Sequence, residues 1–168
     1  MTPDMIYKAR QNAKSRLSSS KTTEEKRHDN VTFRLGEIEH LPVADHIVDC
    51  VISNCVVNLS PDKPQVLKDI HRILKANGQG RIAISDVVLR PRDDNLELPE
   101  HLKTAEALAC WVTGAPSVES LRQMLNEAGF VNIKMELKES SKEVIKQWLP
   151  GSGAEDWVIS AEITATTG

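Results

Sequence analysis

Cysteine is scarce in this 168-residue chain: there are three, an odd number, and no pair has CxxC spacing. That argues against a disulfide framework and against a structural zinc site, and it fits a reducing, cytoplasmic setting. No run of about 18 apolar residues occurs, and the opening MTPDMIYKARQNAKSR has no apolar core, so neither a transmembrane helix nor a secretory leader is expected. Charge of one sign is lacking as well. A formal net charge of −3 without any polybasic stretch gives no electrostatic footprint for nucleic acid or for a membrane surface. Small-molecule partners are expected instead. There is no internal repeat, no low-complexity tract and no glycine-rich loop: Gly36, Gly78, Gly80 and Gly114 stand apart, none opening a helix after a first strand.

What is present is an ordinary globular composition, 40% hydrophobic and 27% charged, with length for one domain. Thr2 as cap and Pro3 at the first helical position, followed by Met5, Ile6, Ala9 and Ala13, predict a helix to about Arg16. LSSSKTTEEKRHDN is polar without a period and predicts a solvated loop or a frayed extension. VTFRLG alternates as a short strand, and Pro42 then forbids a continuing ladder. VDCVISN is a β-branched strand. From Pro64 to Leu74 the residues Val66, Leu67, Ile70 and Ile73 mark an amphipathic helix closed by Asn77-Gly78. GRIAISDVVL is a third strand, and a helix is expected from Glu100 to about Val112. Ser117 opens another helix that Gly129 ends. NIKMELKES, SKEVIKQWLP and DWVISAEITAT predict strand, short helix and strand, with the two last strands antiparallel. Strands alternating with helices give an α/β fold with a largely parallel sheet.

One strand ends oddly. VDCVISN passes into Ser53-Asn54-Cys55 before the chain breaks at Pro61 and restarts as a helix. A strand buried on both faces needs only aliphatic side chains, so polar groups and a thiol at its C-terminal lip mark a candidate site, where open α/β sheets hold ligands. Asp86, near the end of the next strand, belongs to the same lip, although a cap or turn role also explains it. The five histidines, His28, His40, His46, His71 and His101, show no ligand spacing. Trp148 and Trp157 bracket LPGSGAED and are expected to pack that loop. Each thiol also has a plainer reading as a small buried hydrophobe, Cys50 above all, since it alternates inward in the strand centre.

The strings FRLGEIEHLPVAD, VISNCVVNLSPDKPQVLKDIHRILKANGQGRIAISDVV and PGSGAEDWVISAEI resemble arsenite methyltransferases, within a wider group that includes the ubiquinone and menaquinone methyltransferases. The likeness runs from Thr2 to the end of the chain, apart from the polar stretch before Asp29. It implies the class I fold of S-adenosylmethionine (SAM) methyltransferases, a Rossmann-like sheet that is mostly parallel with an antiparallel C-terminal strand. It also implies that Glu37 and Ile38 lie beside the adenine of SAM, that Asn54 and Cys55 sit at the lip facing the substrate, and that Cys55 binds arsenic. As(III) is soft and thiophilic, so a thiolate ligand suits it and leaves its lone pair available.

Two departures from the family stand out. Where the family has another arsenic-binding cysteine, ALACWVTGAP places Trp111, with Cys110 one residue earlier, a step of about 100° around a helix. Cys110 is therefore the second catalytic candidate, with core packing as its plainer role. Family members also carry, ahead of the MTPDMI stretch, a strand, a glycine-rich turn, a helix and a second strand ending in an acid. The resemblance thus implies a single truncated domain over residues 1–168 whose sheet lacks the first two strands, with weak or absent SAM binding. The bared strand edge would be covered by VTFRLG or by a second copy, and a homodimer is expected. Two other functions stay open: a non-catalytic remnant serving as a dimerisation or thiol-sensing module, and a methyltransferase for a small organic acceptor such as a quinone.

Overall fold

In the computed structural model, which describes residues 2–18, 31–92 and 97–168, Thr2 Oγ1 accepts the Met5 N–H at 3.4 Å and opens helix α1, Pro3–Ser18. Of its expected inward set only Ile6 is buried; Met5 is exposed, and Ala9 and Ala13 are half-buried. The rest of the polar stretch, Ser19 to Asn30, lies outside the described residues.

The strand expected over VTFRLG does not form. Alternation supplies a buried face but no ladder partner, and residues 31–36 pair with no strand among the described residues. Backbone groups here meet side chains instead: Arg10 Nη2 donates to Phe33 O at 2.9 Å, and Arg34 Nη1 reaches Pro42 O at 2.7 Å. Glu37 and His40 then close a tight turn, His40 N donating to Glu37 O at 3.2 Å.

Four strands form one sheet in the order β1-β2-β4-β3: β1 Cys50–Asn54, β2 Arg81–Leu89, β3 Phe130–Lys138 and β4 Val158–Thr167. β1 runs parallel to β2, and β4 is antiparallel to both β2 and β3. Three strands therefore point one way and the C-terminal strand alone is reversed, as the resemblance implies. Cys50 is the first residue of β1, not its centre; alternation puts it on the face of the exposed Ile52 while Val51 packs toward the core.

Helix α2, Lys63–Ile73, starts where Asp62 Oδ1 accepts the Gln65 N–H at 3.0 Å and Pro64, having no N–H, needs no partner in the first turn. It ends at Ile73, earlier than Asn77-Gly78, because Lys75 N turns back to Val48 O at 2.9 Å; Asn77 and Gly78 then make the left-handed turn into β2. The helix expected over 100–112 is broken. A single tight turn covers Glu100–Leu102, and Thr104 Oγ1 caps a new start at Ala107 N, 3.1 Å away, so α3 spans only Ala105–Ala109. Ser117 caps α4, Val118–Glu127, and α5 is Lys142–Trp148.

α2 and α4 lay Val66, Leu67, Ile70, Leu121 and Leu125 on one face of the sheet, against Ile82, Ile84 and Ile163. α3 and α5 cover one end of the other face, where Leu102, Ala107, Ile145 and Leu149 gather around Val87 and Val158. The row Ile52, Ala83, Thr164 on that second face stays open, with Ile52 80% exposed.

The loop that carries Glu37 and Ile38 is tied to α2 through one buried carboxylate. Asp69 accepts the Leu41 N–H at 2.6 Å and Arg72 Nε at 2.8 Å, and the Arg72 guanidinium continues to Leu41 O, Val43 O and Asp45. The guanidinium holds the Asp69 carboxyl below the usual range. Replacing Asp69→Ala orphans the Leu41 N–H and leaves Arg72 to Asp45 and the Leu41 and Val43 carbonyls, and should lower stability by about 2 kcal/mol at neutral pH. A depressed folded pKa gives stability that is present above the unfolded value and lost in acid, so the thermal-melt difference from wild type should shrink below about pH 4.

Candidate functional site

The parallel register sets Asn54 beside Ser85, and the ladder takes one more step, with Cys55 N donating to Ser85 O at 2.8 Å. There the chain must leave the sheet. Cys55 does so with φ +51°, a left-handed conformation that costs a side-chain-bearing residue about 1–2 kcal/mol. A short turn follows over Val57–Leu59 and buries Asn58, whose N–H reaches Asp86 Oδ2 at 3.2 Å and whose Nδ2 reaches Val87 O at 2.6 Å. From the other side Gly114 lies against the Asn58 carbonyl; a Cβ at Gly114 would sit 2.2 Å from that oxygen.

The Cys55 sulfur is half-buried at this lip, 3.7 Å from Asn54 Oδ1. Burial pushes its thiol pKa up, and the Asp86 carboxylate adds to the rise. Asp86 itself is pushed up by burial, although the N–H groups of Val87, Asn58 and Val57 and the Lys63 ammonium favour its charge. Lys63 Nζ donates to Ser60 O at 3.0 Å, and burial lowers its pKa against the opposing pull of Asp86.

Cys110 caps the end of α3, half-buried, with its sulfur 3.7 Å from Trp148 O. Trp111 beside it has φ +64° and meets Trp148 edge-on at 5.5 Å between ring centroids. Cys55 and Cys110 thus have separate sulfur contacts, although the turn after Cys110 touches the loop after Cys55 through Gly114 and Asn58. Trp157 packs as expected against the second core and carries the Arg92 guanidinium 4.4 Å from its ring centroid.

Glu37 and Ile38 line a groove of about 500 Å³ whose far wall is Val56, Leu59 and Pro61. Its two sides are joined where Ser60 Oγ donates to Glu39, and that hydroxyl holds the Glu39 carboxyl below its usual range. Asn54 lines a different hollow, about 270 Å³, on the open sheet face with Ile52 and Thr164. The three cofactor candidates are therefore divided between two hollows. The groove's apolar walls and carboxylate rim suit the adenosine end of SAM. Among the described residues, no three His, Cys, Asp or Glu side chains are grouped to hold a metal ion. Sequence reasoning missed Asn58, Ser60 and Lys63, which sit in NLSPDK and look like polar loop residues.

The methyltransferase domain family matches residues 1–129, and the chain belongs to that family. It is 43% identical to the arsenite methyltransferase of Halobacterium salinarum over 98% of its own length and 38% of that protein's, so it spans less than half of this relative. An arsenic(III) S-adenosylmethionine methyltransferase from Chlamydomonas reinhardtii superposes with a TM-score of 0.54 at 28% identity, covering 79% of this chain and 42% of that one. A phosphoethanolamine N-methyltransferase from Haemonchus contortus, solved with S-adenosylhomocysteine, gives 0.57 at 16% identity over 78% and 36%, a likeness of fold.

Because burial and Asp86 both oppose ionisation of Cys55, its alkylation by iodoacetamide should rise with pH to a midpoint above the ordinary thiol value of about 8.5. Site-resolved mass spectrometry of the rate between neutral and alkaline pH checks this; a midpoint at or below that value contradicts it.

Proposed function

We propose that this chain serves methyl transfer from SAM to thiolate-bound As(III), with Cys55 as the arsenic ligand. The observation that carries the reading is the Cys55 sulfur at the C-terminal lip of β1, next to Asn54, in a left-handed conformation that a merely buried hydrophobe does not need. The arsenite methyltransferase relatives support the choice of acceptor. Bound SAM supplies an electrophilic methyl group; Glu37 and Ile38 would hold its adenosine end, with Asn54 at the lip.

Loading Cys55 is a ligand exchange. An As–S bond forms to Cys55, one incoming small thiolate leaves arsenic, and that thiolate takes up the proton released by the Cys55 thiol. No separate base is required, which suits a sulfur that keeps its proton at neutral pH. The remaining arsenic ligands are assigned to incoming thiols, because the Cys110 sulfur contacts Trp148 O. Alignment of the two reactants is then the protein's main contribution.

SAM affinity of this chain by itself should be weak, since its cofactor candidates are split between two hollows. Arsenite presented with a small monothiol should bind wild type about tenfold more tightly than Cys55→Ser, measured by equilibrium dialysis with elemental detection. Equal binding removes the metalloid role and favours a small organic acceptor, and micromolar SAM affinity by titration calorimetry contradicts the weak-cofactor reading.

We also infer a homodimer through β1. Among the described residues its outer edge has no strand partner, and Cys50–Asn54 contains no lysine, proline or bulge, with Ile52 80% exposed. The opposite edge, β3, is blunted by a bulge between Val131 and Lys134 and by Lys138 paired with Glu136 and Glu162. Light scattering should give a dimeric mass for wild type and a monomeric mass for Ile52→Lys; a monomeric wild type at micromolar concentration contradicts it.

A further inference from the structure

Asp86 touches no reactant in the chemistry above, yet it is buried in β2 immediately after Ser85, whose carbonyl takes the Cys55 N–H at 2.8 Å. Its two oxygens have different work. Oδ1 accepts the N–H of its neighbour Val87 at 2.8 Å, which fixes the side chain, while Oδ2 accepts the Asn58 N–H at 3.2 Å across the loop. Asn58 answers with Nδ2 on Val87 O at 2.6 Å. The span from Cys55 to Asn58 is therefore tied to β2 at both ends, at Ser85 by Cys55 and at Asp86 and Val87 by Asn58. A span this short with fixed ends has few conformations, and the one adopted needs Cys55 at φ +51°. Hydrogen bonds to a buried carboxylate are strong enough to oppose that backbone cost.

We propose that Asp86 is the positioning residue for the Cys55 sulfur: its carboxylate holds the Cys55–Asn58 turn and so keeps the sulfur at the lip. The proposal rests on the reading of Cys55 as the arsenic ligand and adds the group that decides where that ligand stands. A carboxylate that only stabilised the fold would alter the melting temperature and leave Cys55 unchanged in the folded molecule. One that positions the sulfur alters Cys55 while the fold persists. With the tie released, Cys55 relaxes toward negative φ and its side chain turns away from its present direction.

The test compares wild type, Asp86→Asn and Cys55→Ser. It measures arsenite affinity in the presence of a small monothiol and the limiting, pH-independent rate of Cys55 alkylation, with Cys50 as internal reference. The limiting rate reports access and geometry after the thiol is fully ionised, so the lost charge does not confound it. In a folded Asp86→Asn, about a tenfold loss of arsenite affinity and about a tenfold change in the Cys55 limiting rate are expected, with Cys50 unchanged. A folded variant with both quantities within about twofold of wild type overturns the proposal, whatever its melting temperature. If Asp86→Asn does not fold, Asp86→Glu, which keeps a carboxylate but moves its oxygens by one methylene, is measured in its place; a shift of about threefold in both readouts is then expected, and no shift overturns the proposal. Wild-type arsenite affinity in Cys55→Ser would sink the arsenic reading instead, and the alkylation rates alone would then decide the positioning claim.

Discussion

The site depends on one constraint, the parallel pairing of β1 with β2, which ends by giving the Cys55 N–H to Ser85 O. A ladder that stops at that carbonyl obliges the chain to turn within one residue. The turn falls on a residue bearing a thiol, and the left-handed backbone there is held by the buried Asn58 three residues further on. Sheet register, backbone strain and sulfur placement are thus parts of one arrangement. The Gly114 contact with the Asn58 carbonyl closes it from the second core.

A second grip sets the other wall. Asp69 and Arg72 on α2 hold residues 41–45, and Ser60 holds Glu39, so the Glu37–Ile38 turn is referred to the same helix that begins after the Cys55 loop. The groove between these segments is consequently built from parts anchored to α2. The open face around Ile52 has no such cover among the described residues, which is why β1 presents both a bare edge and an exposed apolar side chain.

Local chemistry was legible in the sequence. Thr2 and Ser117 cap helices, and Asn77-Gly78 and Gly129 turn the chain with positive φ, because each signal acts within a few residues. The strand order's single reversed member was expected both from the pattern of the last two strands and from the resemblance. VTFRLG failed for the opposite reason: a strand exists only with a partner, and alternation does not name one. The 100–112 helix failed because Thr104 offers its hydroxyl as a second cap, a competition that periodicity does not weigh. The thiol at the lip was visible as an anomaly in an apolar strand. Asp86 was legible as a member of the same lip, but its link to Asn58 was not, since the two are 28 residues apart in the chain and a polar residue in NLSPDK carries no mark of burial.

The central claim is that the Cys55 sulfur is a ligand held at the lip of the sheet. An anomalous-difference map recorded at the arsenic absorption edge, from crystals soaked in arsenite with a small monothiol, tests it most directly. The account predicts a peak within bonding distance of Cys55 Sγ. A peak at Cys50 or Cys110 with none at Cys55 would contradict it.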